Sequence, residues 1–141
     1  MGISLYVTHP TWGLSEAAEA LSLQPFRVWT AGQPRQTPTG RPLPGIYDQS
    51  YICLRLQPSS LLDVEHGVHL FLEHLRPARR FLNGLTGSGG NLALNVFISS
   101  DERHALELNW QVLQELATFR VSFGVEWVPP VQRVPRTDGD A

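Results

Sequence analysis

From Val121 to Trp127 the apolar residues Val121, Phe123, Val125 and Trp127 alternate with Ser122, Gly124 and Glu126. A period of two puts the two sets on opposite faces of an extended chain, so the stretch reads as a strand with one buried side. Leu92, Leu94, Val96 and Ile98 repeat the pattern, and so do Ile3, Leu5 and Val7. A different period lies between them. Leu61, Val64, Val68, Phe71, Leu75, Ala78, Leu82 and Leu85 are spaced by threes and fours, which lines them along one stripe of a helix starting at Ser60 or Leu61. Half-buried strands and a one-sided helix need each other to close a core, which restricts the chain to an α+β layer arrangement.

The remaining elements follow from local signals. Ser15, followed by Glu16, reads as the N-cap of a short helix that stops before Pro25. Phe26–Trp29 and Tyr51–Leu56 read as strands, the second apolar enough for a central position. Asn109 is placed to cap a last helix carrying Val112, Leu113, Leu116 and Phe119. Pro77 predicts a break in the long helix. Gly84 to Gly90 reads as a flexible connection and Asp101 to His104 as a turn. The order is β-α-β-β-α-β-α-β. It predicts a largely antiparallel sheet with helices on one face, of ferredoxin-like, split β-α-β type. Residues 1–130 read as one domain, and the polar, Pro-containing 131–141 as a disordered tail.

Between Thr30 and Gly45 stand Pro34, Pro38, Pro42, Pro44, Gly32, Gly40 and Gly45. This density of breakers predicts a long loop with no regular element, and long loops in small domains tend to carry function.

Charge removes several function classes. The chain of 141 residues has a net charge of −2 and no lysine, so every fixed cation is an arginine. Schiff-base and phosphate-loop lysines are therefore excluded, and nucleic acid is not the expected partner. The single Cys53 falls in an apolar run and reads as an inert buried thiol. No run approaches the roughly 18 apolar residues of a membrane span, and the N-terminus opens on strand-like sequence without a basic leader. The expectation is a cytoplasmic protein without a membrane partner.

Catalytic motifs are not legible. The Gly84–Gly90 run follows a helix and precedes a strand, the reverse of a phosphate loop. His9 and His104 sit beside turns and read as surface residues. On a helix, His66, His69 and Glu73 fall within about 60° of one another, a weak candidate metal set facing water. We expect no cofactor; enzymatic activity stays open, with the non-catalytic reading preferred. The stronger candidate surrounds the loop: Arg27, Trp29, Arg35, Arg41 and Tyr47. Arginine and aromatics on an adaptable loop are what recognition surfaces contain. The plain alternative makes Trp29 a core residue plugging the loop against a helix. Trp127 reads as core, Trp12 as an anchor of the first turn, and Trp110 as packed at the start of the last helix.

Several pieces, the strand at the N-terminus, Leu21-Ser22-Leu23-Gln24-Pro25, Val28-Trp29-Thr30-Ala31-Gly32, the long amphipathic helix, the strand Leu92 to Ser99 and the stretch Asn109 to Trp127, resemble the bacterial DUF4279 family. That resemblance implies an α+β fold and no established activity. By analogy with small bacterial immunity proteins it suggests a toxin as partner. Our expectation is thus a protein-binding module, monomer or homodimer. A small-ligand protein or enzyme with a pocket under the 30–45 loop is the alternative, and a metal held between two copies by the histidine face is a third.

Overall fold

The computed structural model describes residues 2–56, 63–99 and 105–128. The expected helix start at Ser60 or Leu61, the turn Asp101 to His104 with His104 itself, and the tail 131–141 lie outside these residues.

The elements run β1 (Gly2–His9), α1 (Ser15–Leu21), β2 (Pro25–Trp29), β3 (Pro34–Gln36), β4 (Pro42–Ile46), β5 (Ser50–Arg55), α2 (Val64–Leu75), α3 (Arg79–Gly87), β6 (Asn91–Ser99), α4 (Trp110–Thr118) and β7 (Val121–Val128). A five-stranded sheet has the order β2-β5-β1-β6-β7. The first three neighbouring pairs are antiparallel, and β6 with β7 is parallel. Four of these strands, β2-β5-β1-β6, carry the interleaved order of two split β-α-β units, as expected. α4 then returns the chain so that β7 lies parallel to β6, as a crossover helix allows.

The period-two residues meet across the sheet. Leu5 sits opposite Leu54 and Leu94, Val7 opposite Ile52 and Leu92, and Ile3 opposite Val96. These side chains form a single buried cluster with Leu14, Ala17 and Leu21 around α1, with Val68, Phe71 and Leu72 of α2, with Leu82 and Leu85 of α3, and with Val112 and Leu116 of α4. All four helices therefore serve one face of the sheet. Burying each such aliphatic side chain contributes roughly 1.5–3 kcal/mol before entropy is counted. The helical stripe from Val64 to Leu85 is buried as read, and Pro77 interrupts it in a 3-10 turn at Arg76–Ala78. Asp63 caps α2 by accepting from the His66 N–H at 2.7 Å.

Several sequence expectations need correction. The 30–45 stretch is not without regular structure, because β3 and β4 pair as a two-stranded ribbon. Pro34 and Pro42 begin the strands and Pro44 lies within β4, positions tolerated in a two-stranded ribbon whose strands are both edges. Pro38 and Gly40 flank Thr39 in the connecting turn, with the Gly40 N–H donating to Thr37 O at 2.9 Å, the preferred positions for both residue types. Ser15 is not a cap. It is the first helical residue, and the buried Leu14 takes the cap position without a side-chain bond. Gly84 and Gly87 belong to α3, so the connection shrinks to Ser88–Gly90. Gly90 is needed there, since a Cβ would lie 2.7 Å from Leu85 O. Trp127 is 51% exposed and Val125 47%, because β7 is an edge strand that packs on α4. Trp110, at 68% exposure, does not pack at the start of α4.

Candidate functional site

The sheet face away from the helices carries Arg27 and Trp29 from β2, Tyr51, Cys53 and Arg55 from β5, and Ser4 and Tyr6 from β1. The register places Arg27 opposite Cys53, Trp29 opposite Tyr51, Tyr6 opposite Cys53 and Ser4 opposite Arg55. Directly opposed residues share a face. Cys53 is buried beneath its larger neighbours, as the sequence suggested.

An aromatic column crosses this face. Tyr47 stacks on Trp29 with centroids 4.9 Å apart and planes at 11°. Trp29 stacks on Tyr51 at 4.2 Å and 19°, and Tyr51 leans on Tyr6 at 5.9 Å. Trp29 is half-buried, on the face opposite the helices, so it is not the plug against a helix that the plain reading expected. Its indole N–H donates to Gln49 O at 3.1 Å, and the Arg27 guanidinium carbon lies 4.9 Å from its ring centroid. Two tyrosines and one guanidinium thus gather on the indole. With its ring stacked in this way, the indole is not an open platform for a base. Burial, then the neighbouring Cys53 and Tyr6, pushes the Tyr51 phenol above its usual range. Burial likewise raises Tyr6. Both phenols are thus held as neutral O–H groups.

Tyr47 joins the column to the ribbon. Its phenol donates to Gln36 O at 3.1 Å and accepts from the Gln36 N–H at 3.2 Å. Its backbone closes the ribbon base, with Gly32 N–H donating to Tyr47 O and Tyr47 N–H to Gln33 O. Between this ribbon and β2 lies an open cleft of about 530 Å³. Arg27, Trp29, Arg35 and Tyr47 line it, as the sequence singled out. Arg41 is not among the lining residues, although it sits on the same ribbon and its carbonyl accepts from Thr37 N–H at 2.8 Å. Sequence reading missed Gln36, Leu43, Ile46, Asp48 and Gln49, which complete the wall. The signal that could have found them is the turn Thr37-Pro38-Thr39-Gly40, which folds one half of the loop onto the other.

The described residues lining the cleft include no histidine, cysteine, serine or threonine; their ionisable side chains are Arg27, Arg35, Tyr47 and Asp48. Two guanidiniums face one carboxylate, Asp48. The histidine face of α2 does not assemble either. His69 lies 3.7 Å from Glu65, and among the described residues no three His, Cys, Asp or Glu side chains are placed to share a metal. His9, expected on the surface, is only 2% exposed and acts in the fold. Among the described residues no helix is long and apolar enough to cross a membrane. No family model matches the chain, and neither a curated protein nor a solved structure matches it.

Proposed function

We propose that this chain is a non-catalytic binding module that holds an acidic segment of a protein partner in the cleft between β2 and the β3–β4 ribbon. One observation carries the reading: Arg27 and Arg35 line the same cleft as the stacked Trp29 and Tyr47. Guanidinium forks match carboxylates in geometry and charge, and rigid aromatics with arginine dominate the energetics of interfaces. A cytoplasmic setting, membership of the DUF4279 family and a toxin as partner are the finer forms of this proposal.

The test uses an internal control. Arg35 and Arg41 are both exposed on the ribbon, but only Arg35 lines the cleft. Arg35→Ala is expected to weaken capture of a saturable partner from a lysate by about tenfold or more, as loss of a charged interface contact does. Arg41→Ala is expected to leave it within about twofold, as rim charges usually do. Equal effects from the two variants would detach the cleft from binding.

A small anionic ligand is the second reading. The cleft volume, about 530 Å³, lies inside the roughly 300–1,000 Å³ range of small-molecule sites. Thermal stabilisation by a small dicarboxylate, abolished by Arg35→Ala, would favour it over a protein segment.

A further inference from the structure

We propose that the partner segment binds as an added strand along the free edge of β2, with acidic side chains turned into the cleft and apolar ones turned to the helix side. This rests on the cleft reading above and names the mode and the partner chemistry.

The edge itself is the first observation. β2 ends the five-stranded order, with β5 on one side. Pro25, Phe26, Arg27 and Val28 are all exposed, and Phe26 and Val28 are 61% and 45% accessible. An edge strand presents a row of N–H and C=O groups ready for another chain. Common protections are charge and proline along the edge, or a covering element. Here Pro25, Arg27 and the bulge between them guard the first part of the strand, and Val28 and Trp29 carry neither charge nor proline. The described residues place no strand on this edge.

The two sides of the edge differ in chemistry, which sets the side-chain pattern of what would pair with it. Arg27 and Trp29 face the cleft with Arg35. Val28 pairs with Ile52, a residue of the helix-side core, and so lies on the other face. A second hollow of about 510 Å³ runs along α1 past Ala18 and Leu23 to Pro25. A strand laid on β2 alternates its side chains between the two faces. Carboxylates on the cleft side meet two guanidiniums against the single carboxylate of Asp48, and aliphatic groups on the other side cover Val28. The fitting occupant is therefore an extended protein segment alternating acidic and aliphatic residues. Main-chain bonds supply affinity in this mode and alternate side chains supply specificity.

The experiment uses an acetylated, amidated decapeptide of alternating Glu and Val, titrated against the whole chain and followed by tryptophan emission and by backbone amide shifts. Two further copies carry N-methyl groups on every Glu or on every Val. With the Glu side chains held in the cleft, only one of these two sets of N–H groups can point at β2. The expected result is that one methylated copy binds about tenfold or more weaker while the other stays within about threefold, because only one loses main-chain bonds. Shifts should concentrate in residues 25–29. If both copies bind like the parent while Arg35→Ala still weakens binding, edge pairing is overturned and the cleft reading stands. If Arg35→Ala has no effect while one methylated copy fails, the edge is used and the acidic specificity is overturned. No binding of the parent at millimolar concentration, or equal binding of a Lys-Val decapeptide, overturns the proposal.

Discussion

His9 shows how a polar side chain becomes part of a core. Its Nδ1 accepts from the backbone N–H groups of Thr11 at 3.0 Å and Trp12 at 2.9 Å. That ring nitrogen therefore carries no proton, and Nε2 donates to Ser88 Oγ at 2.9 Å. Ser88 in turn donates to Gly84 O at 2.8 Å. The ring also stacks on Trp12, with centroids 4.6 Å apart. One imidazole thus fixes the exit of β1 and joins it to the end of α3. His9→Phe keeps the stacking but leaves two N–H groups without their acceptor, at a cost of about 1–3 kcal/mol. His9→Asn should recover part of that loss, since an Asn carbonyl can accept from N–H groups two and three residues on. Urea unfolding of the three proteins checks the order wild type, Asn, Phe. The sequence could not place this residue, because its partners are two nearby backbone groups and a serine 79 residues away. A histidine between a strand and Pro10 looks like any turn residue until the fold brings α3 across it.

Elements were legible where their signal is local. Asn109 was readable as a cap because its Oδ1 accepts from Val112 N–H, three residues on, at 2.9 Å. The break at Pro77 follows from the missing N–H. The β3–β4 ribbon was not legible, since its strands are short and themselves contain Pro34, Pro42, Pro44 and Gly45. Packing between elements adds contacts that no local pattern shows. Arg76, after α2, grips Glu115 of α4 through Nε to Oε1 at 2.5 Å and Nη2 to Oε2 at 3.0 Å. These hydrogen bonds, chiefly, hold the Glu115 carboxyl below its usual range. The pair is partly exposed, with side-chain accessibilities of 50% and 31%, so it contributes about 0.3–1 kcal/mol. Glu115→Gln should lower stability by that amount at neutral pH. Because the folded pKa is depressed, the contribution is present above the unfolded value of about 4.3 and fades as pH falls through the folded one. Unfolding curves of wild type and E115Q should converge below that window, and a gap that persists there would mean the glutamine is felt through packing instead.

At the scale of the whole molecule, strand order decides what patterns alone could not. Val125 and Trp127 alternate as cleanly as Leu92 and Leu94, yet the first pair is exposed and the second buried. Which strand ends at an edge depends on pairings between distant segments, and these are set by the closing of the whole core. The candidate cleft was half legible for the same reason: Arg27, Trp29, Arg35 and Tyr47 stood out by composition, while its shape needed the ribbon. The order also predicts a gradient of stability. β1 is flanked by β5 and β6 and is buried on its helix side by Ile3, Leu5 and Val7, so its amides should open only with the whole fold. The ribbon pairs with itself alone, its strands are exposed throughout, and its base is tied by Tyr47. Such units open at far lower free energy than core strands. Amide exchange at Thr37 and Tyr47 should therefore be faster than at Leu5 and Val7 by roughly a thousandfold or more, each factor of ten being about 1.4 kcal/mol of opening free energy. If ribbon and β1 exchange together instead, the cleft is a rigid part of one cooperative unit, and a bound segment would meet a preformed wall. If the gradient holds, binding must order the ribbon, and the decapeptide of alternating Glu and Val should slow exchange most at Thr37, Tyr47 and Val28.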